Sequence, residues 1–449
     1  MAIKEQDFTK GNILPSLIKF SIPCIIMNLI QSLFILTDLF IVGHWSEHGE
    51  SIAAITIAAS PMWLHMIFLM GLSGAVNVLI GRAFGAKELD KMDDIVGSSM
   101  TLFASAGLFF TIELFVLAQV YLVLLKTPDE VMSLAVSYLK ISALGFLPIA
   151  AFNLLGAVLR GVGNSTTPLL YISVGLFINV VFDILFVIVL NMGSTGAAIA
   201  TVISQFIGCT FAIFYLRIKQ FLFRFELKDF GFRKETVKNI FLLALPISMQ
   251  EIFVEISFMI IMIIVNMMGA TASAGYGIVL KMWSFTALPA YSFGIVLEAV
   301  ASQNIGAIRL KRAKNALYWC FLLSAIPCFI YVAFIQVFPD FVMSVFTNKQ
   351  DIIKAGSDFL LSSSWEITFL PFEFCLTSFF VACGKPVFAM ISTVLSHFVI
   401  KLPLAYIFVF VLNGGMYMLG WSFTIPAATT VALYFIYFAS GRWVKIKKV

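Results

Sequence analysis

RIKQFLFRFELKDFGFRKETVK, residues 217–238, carries seven Lys and Arg and is the one long charged connection in a chain of 449 residues. The sequence on both sides of it is strongly apolar. Hydrophobic residues make up 61% of the chain and charged residues 12%, with 47 Phe, against about 25% charged in a soluble domain. Mean hydropathy is +1.00. That much apolar surface exceeds what one or two soluble cores enclose, so most of it must face lipid or another helix. The composition excludes a cytosolic enzyme domain as the main body.

A helix crosses the hydrocarbon core with about 20 apolar residues. Runs of this kind predict twelve spans, at 13–43, 51–81, 94–124, 130–158, 166–190, 194–217, 236–268, 272–304, 313–338, 352–382, 386–411 and 418–440. Turn signals separate them, among them Thr127-Pro128-Asp129, Gly161-x-Gly163-Asn164, Asn191-Met192-Gly193 and Asn413-Gly414-Gly415. The polar start MAIKEQDFTKGN leads into a long apolar run without a small-residue cleavage signal, which reads as an uncleaved first span.

Segment 218–234 divides the spans six and six, and the halves repeat. Pro23 and Asn28 are matched by Pro246 and Glu251 at an offset of 223; Ala53-Ala54-Ile55 by Ala274-Gly275-Tyr276, Gly85-Ala86 by Gly306-Ala307 and Gly163 by Gly384, all at 221. Halves with an even number of spans are parallel repeats, which commonly place a substrate pathway between them near mid-membrane. The expected domains are an N-lobe 1–217, a cytoplasmic linker 218–234 and a C-lobe 235–449.

Charge placement orients the chain. With both termini cytoplasmic, the inside segments hold 23 Lys and Arg and the outside holds three, Lys126, Lys349 and Lys354; Lys140, Lys281 and Lys401 fall within spans. This asymmetry predicts a multi-pass inner-membrane protein with both termini inside. The net charge of +5 is dispersed, which excludes a nucleic-acid footprint. Cys24, Cys209, Cys320, Cys328, Cys375 and Cys383 all lie in apolar stretches, without metal-ligand spacing, and are expected to pack as small hydrophobes.

Carboxylates within spans are functional candidates by default. They are Asp38, Glu113, Asp183, Glu251, Glu255, Glu298, Glu366 and Glu373. Asn179 stands one helical turn before Asp183, and Asn153 and Thr201 on neighbouring spans are placed to complete a cluster of oxygen ligands for a proton or a small cation. Glu251 and Glu255 lie one turn apart and Glu366 and Glu373 two, giving the second half acidic faces of its own. Glu113 and Glu298, close to span ends, are expected to snorkel. Lys281 and Lys401 are set either to neutralise acids across helices or, with His397 one turn from Lys401, to form a polar strip facing the cytoplasm. Pro23, 15 residues before Asp38, is a candidate hinge. Asp90-x-x-Asp93-Asp94 is a single acidic run interleaved with lysines and reads as a solvated loop.

These residues resemble the multidrug and toxic compound extrusion (MATE) family over nearly the whole chain. The motifs are Asp38-Leu39-Phe40-Ile41-Val42-Gly43, Gly81-Arg82-Ala83-Phe84-Gly85-Ala86 and Gln303-Asn304-Ile305-Gly306-Ala307, and they look most like the bacterial DinF/MepA-like branch. The resemblance implies an all-α fold of twelve transmembrane helices in two six-helix lobes. It implies antiport of amphipathic, often cationic or aromatic small molecules and drugs, driven by protons or sodium, without a cofactor, by a monomer in the bilayer. It places the coupling site at Asp38, Asn153, Asn179, Asp183 and Thr201 and lines the cleft with Gln31 and Tyr138. Family members that couple through the C-lobe carry a glutamate about eight residues after the span 7 proline, whereas Glu251 and Glu255 stand five and nine after Pro246. Two other readings are a lipid-linked oligosaccharide flippase of the same superfamily, which needs a basic cleft, and an intramembrane prenyltransferase, which needs paired aspartate-rich motifs.

Overall fold

The computed structural model describes residues 5–45, 50–219 and 230–444, and among these it leaves the side chains of 34–36, 38, 39 and 43–45 undescribed. Asp38 as a ligand, the side chains of the Asp38–Gly43 motif other than Phe40, Ile41 and Val42, and the central part of the linker therefore lie outside the described residues. A chain this apolar has no water to satisfy its backbone, so each span must bond internally as a helix. The helices are α1 (Ile13–Trp45), α2 (Glu50–Ala86), α3 (Leu89–Leu124), α4 (Asp129–Ala143), α5 (Phe146–Gly161), α6 (Thr166–Asp183) and α7 (Gly193–Ile218). After them come α8 (Lys234–Met267), α9 (Ala270–Thr286), α10 (Leu288–Gly306), α11 (Leu310–Val337), α12 (Pro339–Ser344) and α13 (Gln350–Ala382). The last are α14 (Pro386–Leu395), α15 (Leu402–Tyr406) and α16 (Gly415–Ala439).

Among the described residues eleven helical stretches are long and apolar enough to cross a membrane, and the bent pair α4 and α5 makes a twelfth. The fourth span, expected as one helix, bends by 45°. Its break falls at Leu144-Gly145, where a Cβ on Gly145 would lie 2.3 Å from Gln205 Oε1 of α7. Close helix approach recurs where α5 meets α2, since a Cβ on Gly161 would lie 2.6 Å from Ile80 Cγ2.

The repeat extends to the backbone. Left-handed residues recur as Lys87 (φ 62°) and Ile308 (φ 59°), Gly163 (81°) and Gly384 (75°), Asn191 (52°) and Asn413 (47°), and Gly193 (54°) and Gly415 (61°). The first two pairs are offset by 221 and the last two by 222. One extra residue therefore sits between Gly384 and Asn413. Here the helix has two π-helical turns, Ser396–Lys401 and Ile407–Val411, whereas the described residues of the first half have one, Ile184–Val189. A π-turn takes up one more residue than an α-turn without breaking the helix.

Two compact units result, Met1–Phe8 with Ile22–Leu245, and Thr9–Ser21 with Pro246–Val449. α1 and α8 each pass from one unit to the other part-way along. α1 does so beside Pro23 and α8 at Pro246, the prolines inside those helices. In the first unit Gln6 N donates to Val162 O (3.2 Å). In the second, Arg309 Nη1 donates to Thr9 O (2.6 Å), while Arg312 donates to Gly11 O (2.8 Å) and Lys10 O (2.6 Å). All six cysteines are buried free thiols.

Candidate functional site: buried polar clusters of the two units

Asp183 is the last residue of α6, and the π-turn Ile184–Val189 follows it directly. Asn179 and Asp183 are both completely buried. Asn179 Nδ2 donates to Thr201 Oγ1 of α7 at 3.4 Å, while Asn179 Oδ1 has no hydrogen-bond partner among the described residues. An amide and a hydroxyl thus meet at the α6–α7 contact, with the buried Asp183 carboxylate one turn further along α6. These are hard oxygen ligands, suited to a proton carrier or a small monovalent cation. Asn153 points its side-chain amide elsewhere, donating to Ile149 O of its own helix (3.0 Å), and its main-chain carbonyl accepts from Ser73 Oγ (3.2 Å). Tyr138 is buried in α4, whereas Gln31 is exposed on α1.

The first unit holds a second cluster that sequence reasoning missed. Glu113, expected to snorkel, instead forms an ion pair with buried His65 (Nε2 to Oε2, 2.9 Å) and accepts from the Tyr121 hydroxyl. His65 Nδ1 lies 2.7 Å from Pro61 O. A carbonyl can only accept, so Nδ1 carries a hydrogen, and Nε2 is the nitrogen that faces the Glu113 carboxylate. Glu113 and Tyr121 stand eight residues apart on one face of α3, which was legible; nothing in the sequence joins them to His65 on α2.

In the second unit Glu366 of α13 is buried, Glu373 half-buried, and Glu251 and Glu255 lie on exposed positions of α8. Lys401 is 1% exposed, with Nζ 3.9 Å from the centroids of both Phe258 and Phe423. His397 Nδ1 contacts Ser257 Oγ at 3.1 Å. The strip of His397 and Lys401 facing the cytoplasm is therefore corrected, since the ammonium is enclosed by aromatic rings. Lys281 is exposed, and Lys140 lies 5.5 Å over Phe115. In the acidic run Asp90-x-x-Asp93-Asp94, Asp94 pairs with Arg233 at 2.7 Å.

The MatE family profile matches the chain twice, over residues 23–185 and 246–407, each match beginning at one of the two helix prolines. The probable multidrug resistance protein YpnP of Bacillus subtilis (strain 168) is 28% identical over 448 residues, covering 99% of both chains. A MATE structure in the bent conformation superimposes with a TM-score of 0.92 at 22% identity and 99% coverage of both chains. One in the straight conformation gives 0.90 at 23% identity, covering 100% of both. Members of this family are transporters and not enzymes, which removes the prenyltransferase reading. Two matched repeats spanning most of its length make this chain a member of the MatE family, the multidrug and toxic compound extrusion transporters.

Proposed function

We propose that the chain exports amphipathic, often cationic or aromatic small molecules in exchange for a monovalent cation, proton or sodium, by alternating access of its two units. The observation that carries this reading is the buried α6–α7 contact, where Asn179 presents an unsatisfied amide oxygen beside Thr201, one turn from Asp183. A buried polar group without a partner is destabilising in the apolar interior, and a bound cation supplies what Oδ1 lacks. Asp38 joins this site by resemblance. An ion drives transport only through different affinities for two states, about 1.4 kcal/mol for each tenfold difference. Pro23 is the proposed hinge between those states: its ring removes one backbone bond within α1, and relatives of this fold are known in bent and straight conformations.

Vesicles containing the purified chain, given a proton gradient or a sodium gradient in turn, test the reading with a fluorescent organic cation as cargo. Uptake should follow one gradient and vanish in Asp183→Asn and Asp38→Asn at unchanged expression. Normal gradient-driven transport by both variants would overturn it. The proposed inner-membrane topology, with both termini cytoplasmic, is checked by labelling single cysteines placed at Lys126 and Lys349 from outside. The chain is proposed to act as a monomer.

A further inference from the structure

The backbone equivalence of the two halves permits a position-by-position comparison of the polar sites. Asn179 precedes the left-handed Asn191 by 12 residues, and Lys401 precedes the left-handed Asn413 by the same 12. Asp183 and Ala405 each precede those asparagines by eight, and Thr201 and Phe423 each follow the left-handed Gly193 and Gly415 by eight. The contact between Asn179 and Thr201 at 3.4 Å in the first unit therefore has its counterpart in Lys401 Nζ over the Phe423 ring at 3.9 Å in the second. Three oxygen-bearing residues are replaced by an ammonium, an aromatic face and a methyl group. The additional π-turn Ser396–Lys401 ends on the lysine.

The surroundings of Lys401 fit a cation held in place. Phe258 of α8 stands beside Phe423, its centroid also 3.9 Å from Nζ and 5.9 Å from that of Phe423, and both rings present their negative faces to the ammonium. The charged groups acting on it are Glu366 and Glu373 of α13, with His397 on its own segment bonded to Ser257 of α8. Among the described residues Nζ has no hydrogen-bond partner. With two carboxylates nearby, the cluster attracts positive charge, and the lysine supplies it from within the chain.

We propose that Lys401 is a tethered cation occupying, in the second unit, the position that a free monovalent ion takes in the first, so that ion coupling is confined to one unit. This rests on the reading of Asn179, Asp183 and Thr201 as the cation site, and the test separates the two. Equilibrium binding of radioactive sodium to the purified full chain is measured with Asp183→Asn as the common background, which removes the first site. In that background the chain should bind no saturable sodium. Adding Lys401→Met should create one site per chain, and adding Glu366→Gln to that should abolish it. Lys401→Arg should create none. A folded Lys401→Met or Lys401→Gln chain without added sodium binding overturns the proposal, as does saturable binding in the Asp183→Asn background that Glu366→Gln removes while Lys401 is intact; the latter measurement decides the matter if neither neutral variant folds. Equal sodium binding by the unsubstituted chain and Asp183→Asn, insensitive to Glu366→Gln, would instead refute the first-unit site and leave the gain in Lys401→Met to judge this one.

Discussion

Replacing Glu113 by Ala and by Gln should have very different effects, and the difference follows from the hydrogen-bond inventory of one cluster. The carboxylate serves two partners, His65 Nε2 at 2.9 Å and the Tyr121 hydroxyl. Alanine leaves both without a partner in a largely buried place. Each buried group so orphaned destabilises by about 1–3 kcal/mol, giving about 2–6 kcal/mol in all. The amide in Glu113→Gln can accept from Tyr121 through its oxygen and donate to Nε2 through its nitrogen, with His65 Nδ1–H still on Pro61 O, so its effect should stay within about 1 kcal/mol. At about 2.1 cal/mol/K per residue, a first unit of roughly 230 residues loses about 2 °C of midpoint per kcal/mol. Glu113→Ala should therefore unfold about 4–12 °C lower and Glu113→Gln within about 2 °C. The six buried free thiols provide the assay, since a thiol-reactive fluorophore reports their exposure on heating in detergent. Equal midpoints for the two variants would refute the assignment of Glu113 as the partner that both groups depend on.

In transport, Glu251→Gln and Glu255→Gln should impair gradient-driven export less than Asp183→Asn, since both glutamates are exposed on α8 while Asp183 is buried; the reverse order would move coupling to the second unit. Pro23→Ala restores a backbone donor within α1 and should slow export while leaving ion binding in place, which parallel binding and transport measurements would reveal. Gly420→Ala should lower the thermal midpoint by about 2–6 °C, because its Cβ would lie 2.8 Å from Phe359 O and from Ser363 N and only 1.9 Å from Ser362 Oγ. Gly277→Ala, with nothing within 4 Å, should not lower it.

The spans and the repeat were legible because both are written in local composition: apolar runs of bilayer length, and turn residues recurring at a fixed offset. The 45° break in the fourth span was not, since Gly145, at the break, faces Gln205 of α7, a neighbour that local sequence does not announce. Periodicity brought Asn179 and Asp183 together on α6, and Thr201 joins Asn179, while Asn153 bonds to its own helix instead. The His65–Glu113 pair escaped for a different reason, as a single histidine in an apolar span carries no signal for the helix it will meet. The extra residue in the second half is visible in the spacing of Gly384 and Asn413. Which turn absorbs it, and hence that Lys401 falls in the register of Asn179, needs the π-turns themselves.

The exchange of helix segments at the two prolines has a consequence for biosynthesis. Thr9, Lys10 and Gly11 are bonded by Arg309 and Arg312, about 300 residues later in the chain. At about 5–20 residues per second, those guanidinium groups are synthesised about 15–60 s after the carbonyls they will hold. Residues 9–21 thus leave the ribosome early and find their own unit among the last, and a chain stopped after α7 would lack both residues 234–245 of its own unit and the two arginines that hold the carbonyls of Thr9, Lys10 and Gly11.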